Sequence, residues 1–124
     1  RKPTLKVTNL RSTYRHSDIA KLRIFGRDLS NDRLPVSKKP YARDSVVFDE
    51  MYYRVRDVNS GDILIPFEKN KNGTRVSSDK EGMFFEIRMN NLFSGRTYKF
   101  EFLVIDRGVE TIIEDAGTRF RVDG

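Results

Sequence analysis

Leu92, Gly95 and Tyr98 stand at the spacing Leu-x-x-Gly-x-x-Tyr, and the alternating stretch Tyr98-Lys-Phe100-Glu-Phe102-Leu-Val104 follows without a gap. Each position has a physical reason. Leu closes a strand on the core, Gly lets the backbone turn through a conformation that other residues resist, and Tyr opens the next strand with its ring inward. The phenol hydroxyl then has to find a partner, and the backbone just upstream is within its reach. The spacing therefore predicts a corner between two strands, with Leu92, Gly95 and Tyr98 as structural residues.

The rest of the chain agrees with a β-protein. Leu5-Lys-Val7-Thr reads as an opening strand, and Ala20 to Gly26 as a second, with Leu22 and Ile24 inward. Asn9 to Asp18 is polar and reads as a connection. Val46 to Arg56 carries a central strand whose residues Met51, Tyr53 and Val55 face one way and Tyr52, Arg54 and Arg56 the other. Ile63 to Phe67 is its partner, placed at a sheet edge by Pro66, which has no N–H for a ladder. Phe84 to Met89 alternates with Phe85, Ile87 and Met89 on one face. After the corner strand, Asp106-Arg107-Gly108 signals a hairpin, Val109 to Glu114 returns, Ala116-Gly117 suggests a bulge, and Arg119 to Val122 ends the set. No helical window of useful length is present. About seven short strands predict an all-β fold, a single antiparallel sandwich spanning residues 1–124. Its core is expected to hold Leu22, Ile24, Tyr53, Val55, Ile87, Met89, Tyr98, Phe100, Phe102 and Val104.

A chain of 124 residues with 37% apolar content is long enough for one real core. It has no apolar run near the length of a membrane span and no signal-like stretch after its basic start. The start Arg-Lys-Pro, in place of Met, reads as a processed product or a piece of something larger. Cysteine is absent, so no disulfide is available, which points to folding in a reducing compartment. The net charge of +6 is uneven: residues 1–44 hold 12 basic against 4 acidic residues, residues 45–124 hold 12 against 14. A basic half can face nucleic acid, an anionic membrane or an acidic protein, or can simply keep strand edges soluble.

Catalytic constellations are scarce. His16 is the only histidine and lies in a polar connection, so any His-dependent triad would have to use it, and a zinc site lacks its usual Cys and His ligands. Asp49-Glu50 and Glu114-Asp115 show no spacing peculiar to a glycosidase. Asp57-x-Asn59-x-Gly61-Asp62 resembles the start of a calcium loop, but Ile63 opens a strand at once and a hairpin with a two-residue tip fits better. Asn72-Gly73-Thr74 matches a glycosylation acceptor and, more simply, a turn. The chain is expected to be no enzyme and to need no cofactor or metal.

The corner residues Leu92, Gly95 and Tyr98 give the chain a resemblance to immunoglobulin and fibronectin type III-like sandwiches, in which this pattern is the tyrosine corner. A second resemblance is carried by Tyr53-Arg-Val-Arg-Asp, Gly61-Asp-x-Leu-Ile-Pro, Ser77-Ser-Asp79-x-x-Gly82-Met-Phe-Phe and Leu92. It is to accessory β-sandwich domains of tailed-bacteriophage virion proteins. Such kinship implies a non-catalytic module of a neck, tail, baseplate or fibre, assembled in the host cytoplasm and acting by contact with other subunits. The absence of Trp departs from antigen-receptor domains.

The irregular segment Leu29 to Asp44 is the expected contact loop, with Arg33, Lys38, Lys39, Tyr41 and Arg43 meeting an acidic partner surface. Two other readings stay open. One is a carbohydrate or host-surface binder that uses exposed tyrosines such as Tyr41 or Tyr52. The other is a nucleic-acid binder in which Tyr52 with Arg54 and Arg56, or Tyr41 with Lys39 and Arg43, meets the bases and backbone.

Overall fold

The computed structural model describes residues 3–28, 48–69, 73–114 and 116–124. Ten strands occur among them: β1 (Pro3–Val7), β2 (Thr13–Arg15), β3 (Ile19–Asp28), β4 (Glu50–Asp57), β5 (Ile63–Ile65), β6 (Ser77–Asp79), β7 (Gly82–Arg88), β8 (Arg96–Asp106), β9 (Val109–Ile113) and β10 (Arg119–Asp123). The only helical element among the described residues is a 3-10 turn, Met89–Asn91. The fold is all-β. Two sheets form, one ordered β1-β3-β7-β6 and one ordered β2-β10-β8-β4-β5, with β9 also on β8.

Period-two alternation explains why these segments are strands. In β7 and β10, buried and solvent-facing residues take turns, as a strand with one face on a core requires. β8 departs from this, being buried on both faces through its middle. It has β4 on one side and, on the other, β10 against its first half and β9 against its second. The hairpin from β8 to β9 turns on Arg107 and Gly108, with φ of 53° and 78°. Two consecutive left-handed residues match the twist of the strands they join.

The sheets meet through aromatic rings. Tyr53 of β4 stacks on Phe85 of β7 at 4.3 Å between centroids, and Phe85 meets Phe100 edge-on at 5.1 Å. Phe100 stacks on Phe120 at 4.7 Å. Such pairs add about 0.5–1.5 kcal/mol each beyond the area they bury. All ten expected core residues are buried, together with Tyr14, Met51, Met83, Leu92 and Val122 among others.

Three features differ from the sequence reading. The polar stretch taken as a connection contains β2, which runs parallel to β10 (Thr13 opposite Arg121, Arg15 opposite Asp123), so the sheets are not wholly antiparallel. β6 was not foreseen, because Ser77, Ser78 and Asp79 are all exposed and carry no alternation. The hairpin after β4 has a five-residue connection, residues 58–62, not a two-residue tip. Its geometry is set by Asp57, whose carboxylate accepts hydrogen bonds from the Asn59 and Ser60 N–H groups at 2.9 and 3.1 Å.

Candidate functional site

Tyr98 is fully buried, and its hydroxyl accepts the Phe93 N–H at 2.9 Å while donating to the Phe93 carbonyl at 3.2 Å. Gly95 turns at φ 81°, and its N–H donates to the Val122 carbonyl at 2.7 Å. Leu92 is buried beside them. These three residues hold a turn. The expected contact residues Arg33, Lys38, Lys39, Tyr41 and Arg43 lie outside the described residues.

Tyr52 is not an exposed platform. It is 3% exposed, with its hydroxyl donating to Glu50 at 2.9 Å. Alternation correctly put it on the outer face of the six-stranded sheet, but did not reveal that other chain lies over that face. Phe67 sits 4.7 Å from the Arg54 guanidinium, and Lys69 reaches Glu110 at 2.7 Å. The segment after β5 thus crosses the half of the face that holds Tyr52 and Leu103. The Asp57 carboxylate, beyond its two turn hydrogen bonds, accepts one from Arg96 at 3.0 Å. That bond to Arg96, followed by the one from Ser60, holds the Asp57 carboxyl below its ordinary value.

The other half of the same face is basic. Strand register places Arg56 of β4 opposite Lys99 of β8, and Lys99 opposite Arg119 of β10. One step along, Arg121 of β10 lies on the same face as Arg119, both exposed. With strands about 4.8 Å apart, the row Arg56–Lys99–Arg119 spans about 10 Å. Like charges directly opposite one another are unfavourable. The cost is met from the neighbouring row by Glu101, which pairs with Arg54 on β4.

Glu101 is 1% exposed and takes hydrogen bonds from Arg54 at 2.7 Å and Arg56 at 3.0 Å, with Lys99 at 3.1 Å on its other oxygen. Burial alone would push this carboxyl up, but the bonds from Arg56, Arg54 and Lys99 outweigh it and leave the group below its ordinary value. One carboxylate therefore fixes three cations and still leaves the cluster positive. Arg121 has Asp123 at 2.8 Å, whereas Arg119 has no ion-pair partner among the described residues.

Arg54, Arg56 and Lys99 are thereby held in place by charge-assisted bonds and keep little side-chain entropy to lose, while Arg119 and Arg121 stand exposed beside them. Alternation put Arg54 and Arg56 on one face within their strand, but the register that aligns Arg56 with Lys99 and Arg119 was not readable from any single segment. Among the described residues no cluster of three His, Cys, Asp or Glu side chains could hold a metal, and no helix is long and apolar enough to cross a membrane. No known family, curated protein or solved structure matches this chain.

Proposed function

We propose that the chain is a non-catalytic contact module with an immunoglobulin-like arrangement, a structural part of a tailed-phage particle that binds an acidic surface of a neighbouring subunit. The observation that carries the contact reading is the cation row Arg56–Lys99–Arg119, in which Arg56 and Lys99 are anchored on buried Glu101 and Arg119 is exposed beside them. The immunoglobulin-like reading draws on the strand order of the two sheets and the two-way bond between Tyr98 and Phe93, the geometry of a tyrosine corner. The phage assignment rests on the resemblance of residues 53–92, and a chain without cysteine suits assembly in a host cytoplasm.

Gold-labelled antibody against the domain, applied to particles purified from a lysed host culture, tests the placement. Label fixed at one position on intact particles is the expected result, and label confined to unassembled protein would overturn it. The paired variant Arg119→Glu/Arg121→Glu is expected to fold normally and fail to incorporate.

A second reading uses the same row, since a line of three cations can also neutralise the phosphates of a nucleic acid. Fluorescence anisotropy with a short DNA duplex separates the two. Binding that falls steeply as salt rises, and disappears in the paired variant, would favour nucleic acid.

A further inference from the structure

β7 is paired along only part of one edge. β6 covers Gly82 to Phe84, whereas Phe85 to Arg88 pair with β3 on one side and with no strand on the other among the described residues. The path of the chain explains the gap. Thr74 and Val76 are still bonded to β4, the Thr74 carbonyl accepting the Tyr53 N–H at 2.9 Å and the Val76 N–H donating to Met51 at 2.8 Å. Only at Ser77 does the backbone join the other sheet. Among the described residues, nothing pairs with the edge it would have covered.

A cleft of about 550 Å3 opens there, between β7 and the end strand β5. Glu86, Ile87 and Arg88 all line it, although Ile87 is buried and its two neighbours are exposed. What three consecutive residues of a strand share on one side is their backbone edge. The opposite wall runs through Ile65 to Pro66, and Pro66 offers no N–H, so a ladder can form on β7 only.

Tyr53 and Glu68 also line the cleft. Tyr53 is 5% exposed with its ring on Phe85, and its hydroxyl makes no hydrogen bond among the described residues. Burial, and then the Glu68 charge, push that hydroxyl up, so it stays protonated. Glu68 has no ion pair among the described residues, unlike Asp57, Asp79, Glu101 and Glu110. A donor-acceptor hydroxyl and a carboxylate with no ion pair among the described residues thus share one cleft, beside a strand edge that no described residue pairs.

We propose that the cleft takes an extended segment of a partner protein, which adds as a strand along Phe85 to Arg88 and inserts one Lys or Arg side chain against Tyr53 and Glu68. Four residues of free edge amount to about 13 Å, enough for a short β-addition. The inference rests on the reading of the chain as a protein-contact module, but uses none of the residues of the basic face.

The test is a display library of extended segments alternating Val and Thr around a randomised central residue, selected on the whole chain. Enrichment of Lys or Arg at the centre is expected, with slowed amide exchange at residues 85–88 when the selected peptide is added. Tyr53→Phe and Glu68→Gln should each weaken that peptide about tenfold, the loss of one charge-assisted contact. Neither should lower the melting temperature appreciably, since neither group is bonded in the free domain. Absence of basic enrichment, or unchanged affinity in both variants, would overturn the proposal. Slowed exchange at 85–88 that appears with rising protein concentration alone would assign the cleft to a second copy, and protection by a disaccharide would assign it to carbohydrate; either overturns the partner named here. Arg119→Glu/Arg121→Glu should bind the peptide normally, so failure of the basic face and failure of the cleft are distinguishable.

Discussion

On the outer face of the four-stranded sheet, Arg23 meets Asp79 through two hydrogen bonds of 2.6 and 2.8 Å and reaches Glu81 at 3.3 Å, while Phe84 lies under both Arg23 and Lys21. On the outer face of the six-stranded sheet, Arg54, Arg56 and Lys99 share Glu101. Both faces pair Arg with carboxylate, but in different solvents. Asp79 is about a third exposed and Glu81 more so, whereas Glu101 is sealed from water. Water screens the first set and can replace any lost partner. Glu101 has no such substitute, although Arg56 and Lys99 are partly exposed. The lesson is that identical ion-pair chemistry is ornament on one sheet and framework on the other.

The comparison presumes that both faces stand on one layer. Phe100, fully buried and touching Phe85 of the opposite sheet, tests that: Phe100→Ala should cost about 3–5 kcal/mol in denaturant unfolding and leave a single transition. Two separate transitions would break the comparison. Glu101→Gln comes next, at about 2–3 kcal/mol. This is below the range for a wholly buried pair because Arg56 and Lys99 are each 27% exposed and can hydrate. Asp79→Asn should change stability at neutral pH much less. If the two carboxylate variants prove equal, burial is not what distinguishes the faces.

Acid sharpens the same contrast. Arg23 holds Asp79 down to about 2 from the ordinary 3.8. A carboxylate depressed in the folded state stabilises above its ordinary value, and that contribution is lost as pH falls through the folded one. Thermal melts should therefore hold their midpoint down to about pH 4 and lose it progressively toward about pH 2. Glu101, also depressed, acts in the same direction. Asp79→Asn should flatten part of that decline, and a midpoint that rises on acidification would refute the assignment. The smallest effect is expected for Arg119→Glu, since Arg119 has no ion-pair partner among the described residues; it should leave stability within about 0.5 kcal/mol of the original.

Local pattern carried much of this fold and little of its surface chemistry. Strands such as Phe84 to Arg88 and Tyr98 to Val104 announce themselves because one face must be apolar, and the residues named for the core are buried. Thr13–Arg15 and Ser77–Asp79 do not, because each is three residues long; the first is held by β10, more than a hundred residues on, and the second is exposed throughout and carries no alternation. Tyr52 shows a second limit. Alternation tells which face a side chain takes but not whether Phe67 and Lys69 will fold across that face. The basic row needs the register of three strands, and the cleft needs the switch of the chain between sheets at Ser77, neither of which is written in any one segment. The excess of basic residues in the first 44 positions points to a contact loop that lies outside the described residues. The row that emerged belongs to the stretch whose net charge is slightly negative.

The parallel pairing of β2 with β10 bears on how the domain would respond to force. Ser12 and Arg121 are bonded at 2.8 Å, and His16 and Asp123 at 2.7 Å, so the two strands are fastened at both ends of their overlap. Because they run in the same direction, pulling the chain apart from ahead of β2 and beyond β10 drags the strands lengthwise past each other. The bonds lie across that pull and must yield together, not one by one as they would in a peeled hairpin. Resistance to such a load is a matter of rate, not of equilibrium stability. A domain of modest overall stability built this way can serve as a mechanical clamp between whatever is tethered at its two sides.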